Sequence, residues 1–148
     1  ILRRLKSEVL DELPPKQENI ILVDMNPKHK ELYQEKKEYY KNIILENMQN
    51  GFNKNKMIIF QALMKLRQIA SIPEIEDENI NSSKLEVMFE QLEDIISNKH
   101  KVLIFTNFLF SIDLIVNEAQ KRGFSYVSMS GNSTNRQKIV NKFLNEDI

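Results

Sequence analysis

The sequence predicts an α/β fold, a short parallel sheet with helices on its faces, joined to an antiparallel helical hairpin. Three observations carry this expectation. Residues 82–148 alternate helix-like and strand-like patterns in the order α-β-α-β-α, the signature of a doubly wound layer. Residues 26–73 hold two long helical patterns split by a glycine turn. The chain is 148 residues long with 41% hydrophobic and 28% charged residues, the size of one domain, too apolar for disorder and too charged for a membrane protein.

Taken in order, Ile1–Lys16 places Leu2, Leu5, Val9 and Leu13 at three- and four-residue spacing and ends on Pro14-Pro15, a helix with an abrupt stop. The β-branched run after Asn19 predicts an edge strand over 20–24. Asn26-Pro27 supplies an N-cap and a proline at the first helical position, where a missing N–H costs nothing. A helix of about 22 residues, about 33 Å long, should follow. Its inward stripe reads Leu32, Tyr33, Tyr39, Tyr40, Ile43, Ile44 and Met48. Gly51 makes the turn, and a second helix over 54–71 carries Met57, Ile58, Phe60, Leu63, Met64 and Leu66 before Ile72-Pro73 ends it.

Residues 74–81 carry four acids without periodicity and read as an exposed linker. Ser83-Lys84-Leu85-Glu86 is a capping box that opens a helix with Leu85, Met88, Phe89, Leu92, Ile95 and Ile96 inward. Lys101–Thr106 is a continuous apolar strand of the kind buried on both faces. A helix over 109–122 ends at Gly123, a strand over 126–129 follows, and Ser130-Gly131 turns the chain. Thr134-Asn135-Arg136-Gln137 is a second capping box, ahead of a helix that buries Ile139, Val140, Phe143 and Leu144.

Composition narrows the function classes. With no Cys there is neither a disulfide framework nor a thiolate metal site, and no signal-peptide pattern opens the chain, so an intracellular protein is expected. The apolar uncharged run Val102–Ile112 has 11 residues, against the roughly 20 a spanning helix needs. The net charge of zero hides an asymmetry: residues 1–67 hold 13 Lys or Arg against 9 Asp or Glu, and 68–148 hold 8 against 12. Neither half is basic enough to predict nucleic-acid binding, so any DNA contact must be a local patch.

No phosphate-gripping GxxxxGK[ST] and no HExxH occur. His29 and His100 read as surface residues, and Asp77-Glu78 as part of a solvated linker. Two strand ends remain, where ligands collect in open α/β sheets: Thr106-Asn107, and Ser130-Gly131-Asn132-Ser133-Thr134-Asn135-Arg136. Their hydroxyls, amides, free N–H groups and single Arg suit a phosphodiester backbone. They also read as ordinary βα loops with N-caps, which chemistry alone favours.

Five motifs in register carry a resemblance. They are Arg3-Arg4-x-Lys6-x-x-Val9-x-x-x-Leu13-Pro14-x-Lys16, Leu66-Arg67-Gln68-Ile69, Ser83-Lys84-Leu85, His100-Lys101-Val102-Leu103-Ile104-Phe105-Thr106, and Tyr126-x-x-x-Ser130-Gly131-x-x-x-x-Arg136. In this order the chain resembles the Swi/Snf family of DNA-dependent ATPases within helicase superfamily two. The family segment matching 66–73 usually reads LRQICNHP; Ala70, Ser71 and Ile72 stand here instead of Cys, Asn and His.

The resemblance implies an incomplete RecA-like (P-loop NTPase-like) second lobe with an inserted hairpin. Residues 1–25 would be a brace helix and edge strand, 26–81 the helical protrusion and acidic linker, and 82–148 the N-terminal part of the lobe. It implies an ATP-dependent motor that translocates on double-stranded DNA, with Thr106, Asn107, Ser130, Gly131, Thr134 and Arg136 on the phosphate backbone and no catalytic residue in this stretch. Arg3, Arg4 and Lys6 would set the orientation of the first RecA-like lobe of the same chain, and Arg67 would pack within its helix. ATP and Mg2+ would serve the full-length parent, and the fragment alone would be inactive and bind neither. A sheet with an open edge would favour self-association. The location would be cytoplasmic, on the nucleoid in a bacterium, or nuclear in a eukaryote, with no membrane partner. The alternative is a non-enzymatic interaction module that docks a partner through the hairpin, and a small enzyme at the strand ends has little support, since no nucleophile and base occur together.

Overall fold

The computed structural model describes residues 17–49 and 52–146, apart from the side chains of 52–55. The expected helix over 1–16, with Arg3, Arg4 and Lys6, and the turn at Gly51 lie outside the described residues. Among the described residues five helices follow one another: α1 (Pro27–Gln49), α2 (Phe52–Ser71), α3 (Ser83–Ser97), α4 (Leu109–Lys121) and α5 (Arg136–Asn145), with a 3-10 turn at Pro73–Ile75.

Helix α1 starts where the sequence places it. Asn26 Oδ1 accepts from the His29 N–H at 2.9 Å, and Pro27 takes the first helical position. Its inward line is His29, Leu32, Tyr33, Lys36, Tyr40, Ile43, Ile44 and Asn47, whereas the expected Tyr39 and Met48 face solvent. On α2 the expected stripe is mostly reversed. Ile59, Ala62 and Ile69 are buried, while Met57, Ile58, Phe60, Leu63 and Met64 are exposed. This helix is apolar on more than one face, so periodicity alone could not choose between them; the small Ala62 lets α1 approach closely, and the bulkier stripe is left outside.

The end of α2 explains the antiparallel hairpin. Pro73 has no N–H to give the Ile69 carbonyl four residues earlier, so that acceptor needs another donor. His29 Nε2 lies 2.7 Å from it. Two residues on, the Ser71 carbonyl accepts from Ser82 Oγ at 2.9 Å. Thus α1 and the start of α3 each cap the end of α2. The expectation of a surface His29 is therefore corrected: it is buried, because the proline behind it leaves a carbonyl to satisfy.

The 74–81 segment is exposed at Glu78, Asn79 and Asn81, as expected of a linker, but it is tied to the helices at both ends. Pro73 and Ser82 are buried at its two ends, the Ser82 N–H donates to Glu74 Oε1 at 2.7 Å, and Glu76 pairs with Lys36 of α1 and Lys65 of α2. Asp77 accepts from the N–H and the amide of Asn79, bonds that hold its carboxyl below the usual range. The cap of α3 sits one residue earlier than expected, at Ser82, whose Oγ accepts from the Leu85 N–H. Ser83 instead accepts from the Asn26 N–H at 3.2 Å and ties the start of α1 to α3.

Helices α3 and α4 share a small core of Phe89, Leu92 and Ala119, flanked by Val102, Ile115, Phe124 and Tyr126. Arg122 clamps it, with its guanidinium 4.9 Å from the Phe89 ring centre and bonded to Glu93 of α3 and Glu118 of α4. Each helix ends in a Schellman turn, through Gly123 at φ +71° for α4 and Lys99 at φ +60° for α3.

The expected parallel sheet is absent: among the described residues there is no strand, and the α/β class is replaced by helices joined by irregular segments. Residues 20–24, 101–106 and 126–129 form no backbone hydrogen bonds with one another. A strand buried on both faces needs neighbours on both edges, and two short segments alone are marginal. Here Leu103 is 66% and Phe105 89% exposed, and Ile20 and Leu22 are 88% and 92% exposed. An apolar cavity of about 750 Å³, open to solvent on one side, is lined by the 102–106 and 123–129 segments and by residues of α3, α4 and α5. Ile139, Val140, Phe143 and Leu144 of α5 all line it, the first and third half-buried, whereas Val140 and Leu144, expected to be buried, are exposed. Among the described residues there is no sheet, and hence no open sheet edge of the kind from which self-association was expected.

Candidate nucleic-acid interface

Each sequence-selected loop leads into a helix whose first turn lacks a side-chain cap. Before α4, Thr106 and Asn107 are exposed, and Thr106 Oγ1 accepts from the Phe108 N–H at 3.3 Å. The N-cap position itself is taken by Phe108, whose side chain has no acceptor. The N–H groups of Leu109 and Phe110 are left without an acceptor among the described residues.

Before α5, Ser130 and Ser133 lock the turn reciprocally: the Ser130 N–H donates to Ser133 Oγ at 2.9 Å, and the Ser133 N–H to the Ser130 carbonyl at 3.2 Å. Asn135 is the N-cap, in the left-handed region at φ +56°, ψ +41°, and makes no side-chain cap bond. The expected capping box is thus corrected. Thr134 stands outside the helix, and Gln137 reaches forward to Asn141 Oδ1 at 3.0 Å instead of back. The N–H groups of Arg136 and Gln137 have no acceptor among the described residues.

Arg136, the first residue of α5, reaches back to the loop, its Nη2 donating to the Gly131 carbonyl at 3.0 Å. A guanidinium has five N–H donors, so four stay available, and the bond holds the charge on the loop that leads into α5. Gly131, Thr134 and Arg136 are exposed and Ser130 is half-buried. The structure brings Gly131 to Arg136 and Ser130 to Ser133. No hydrogen bond joins this loop to Thr106 or Asn107 among the described residues, and what the two regions share is the wall of the cavity, to which Thr106 and Met129 both contribute.

Sequence reasoning missed the residue that anchors the far end of α5. Lys101 Nζ donates to the carbonyls of Phe143, Leu144 and Glu146, at 2.6, 3.3 and 2.6 Å, satisfying acceptors that a helix end leaves orphaned. No local pattern could reveal a pairing more than 40 residues apart. Arg67, expected to pack within its helix, is exposed. His100 is exposed at the cavity rim.

The sequence has no phosphate-gripping loop, and among the described residues no three His, Cys, Asp or Glu cluster to hold an ion. No helix among them is long and apolar enough to cross a membrane.

The family model for the SNF2-related domain matches residues 1–75, half of the chain. The chain belongs to the SNF2-related family. Swi/Snf-type relatives align along almost its whole length. An uncharacterized ATP-dependent helicase of Mycoplasma pneumoniae is 34% identical over 98% of this chain and 14% of its own length. A CHD3-type chromatin-remodeling factor of Arabidopsis thaliana is 32% identical over 97% of this chain and 13% of its own. The ISWI chromatin-remodeling complex ATPase ISW1 of Saccharomyces cerevisiae is 27% identical over 94% and 13%. The chain thus spans about one seventh of the length of these SNF2-related proteins. No solved structure matches it.

Proposed function

We propose that this chain is part of an ATP-dependent motor that tracks double-stranded DNA, and that its own task is to hold the phosphate backbone at two helix N-termini. One observation carries the reading: α4 and α5 begin with uncapped N–H groups beneath exposed polar loops, whereas α1 and α3 are capped by Asn26 and Ser82. Free amides at a helix start, with the positive end of the helix dipole behind them, bind phosphate oxygens and read no base. Thr106 and Asn107 would serve the first site, and Ser130, Gly131, Thr134 and Arg136 the second.

In the whole motor ATP hydrolysis, assisted by Mg2+, would supply the energy, and both would be held by residues other than these. The first RecA-like lobe is the intramolecular partner, and its closure would shift the grip of the two sites along the backbone. The remodelling names of the plant and yeast relatives favour work on chromatin-like DNA in a eukaryote and on nucleoid DNA in a bacterium.

Duplex binding by the 148-residue chain, followed by fluorescence anisotropy across a salt series, tests this. Two or three phosphate contacts give a log–log slope of about −2 to −3. Arg136→Ala should flatten the slope by about one unit, equally for all sequences. A preference among duplexes of equal length, or an unchanged slope, would count against the assignment.

A further inference from the structure

Helix α2 has two apolar faces and spends only one of them on α1. On the other, Met57, Phe60, Leu63 and Met64 recur at three- and four-residue spacing over two turns, and Met57 and Phe60 are 67% and 57% exposed. Single exposed apolar residues are ordinary; a continuous stripe of four marks a contact surface.

The charge on this helix is one-sided. Residues 52–71 contain no Asp or Glu. Lys56 lies four residues before Phe60, and Arg67 lies three after Met64 and four after Leu63, so both cations fall in line with the stripe, one at each end. Both are exposed, and neither makes an ion pair or hydrogen bond among the described residues. Lys65, on another face, is already paired with Glu76.

We propose that this face of α2 docks an acidic amphipathic helix of a partner protein. Leu, Ile or Phe at three- and four-residue spacing would pack on Phe60 and on the adaptable Met57 and Met64, and Asp or Glu toward its two ends would neutralise Lys56 and Arg67. The position of the cations favours this occupant over an anionic bilayer. A bilayer-bound helix carries its cations along a continuous polar face, where they reach the headgroups, whereas Lys56 and Arg67 stand singly at the two ends of the apolar stripe and in line with it. An opposing carboxylate meets them where they are.

The test is a display selection of random peptides about 16 residues long, enough for four helical turns, against the 148-residue chain. Enriched peptides should combine helical apolar spacing with an excess of Asp and Glu. A synthetic copy of the most enriched peptide should bind in a salt-sensitive manner. Phe60→Ser should weaken it by about tenfold or more, and the pair Lys56→Glu with Arg67→Glu should abolish the preference for acidic over basic peptides. These side chains are exposed, so an unchanged far-UV circular dichroism spectrum confirms that the variants fold. Enrichment of neutral or basic peptides, no enrichment at all, or binding that survives Phe60→Ser would overturn the proposal. So would a dimer in sedimentation, or binding to phosphatidylglycerol vesicles, that Phe60→Ser abolishes, since a second copy or a bilayer would then be the occupant.

Discussion

His29→Leu keeps a side chain of similar bulk at the start of α1 and removes the ring N–H that the Ile69 carbonyl accepts at 2.7 Å. The acceptor cannot recover its helical donor, because position 73 is proline. Leaving a buried carbonyl unpaired costs about 1 to 3 kcal/mol. Leu also removes Nδ1, which is buried without a partner, and this offsets part of the loss. The net destabilisation is about 1 to 2 kcal/mol, which lowers the urea midpoint by about 0.5 to 1 M at an ordinary slope. His29→Gln, whose amide can still donate, should recover part of it. A midpoint for His29→Leu equal to that of the unsubstituted chain would refute the reasoning, since α2 would then be closed without α1.

Lys99 occupies the left-handed position at the end of α3, at φ +60°, where a side chain is strained and glycine is not. Lys99→Gly should stabilise the chain by about 0.5 kcal/mol, a thermal midpoint about 1 to 2 °C higher; a fall would show that the Lys side chain holds something in place. The hydrogen bond from Arg122, helped by Lys121, holds the Glu118 carboxyl below its usual range. A depressed carboxylate contributes stability above the usual glutamate range, about pH 4.3, and loses it as the pH falls through the lower folded value. The stability gap between the unsubstituted chain and Glu118→Gln, read from urea curves, should therefore be present at neutral pH and close on acidification; a gap independent of pH would contradict the pairing.

The helices were legible in the sequence because their signals are local. Asn26-Pro27, Pro73 and Gly123 mark boundaries within one or two residues, and the hairpin follows from two long patterns around one turn. The wrong face of α2 has a physical reason: it is apolar on both sides, and α1 selects the one with Ala62. The sheet failed differently. The β-branched and apolar runs over 20–24, 101–106 and 126–129 are real, but a strand exists only by pairing, and these segments do not pair among the described residues. The polar loops of the candidate interface could be found because hydroxyls, glycine and Arg136 cluster after apolar runs. That their helices start uncapped could not be read, since Thr134 and Gln137 spell a cap that the left-handed Asn135 prevents. The same holds for His29 and Lys101, whose partners lie 40 or more residues away.

The claim that two uncapped helix starts grip the DNA backbone is tested most directly by the amides themselves. In a 15N-labelled chain titrated with a short duplex, the backbone N–H resonances of Leu109, Phe110, Arg136 and Gln137 should move most, downfield as phosphate oxygens accept from them, and should return when salt displaces the duplex. The account predicts the same four amides for duplexes of any sequence. Shifts confined to α1 and α2, with these four unmoved at saturation, would contradict it.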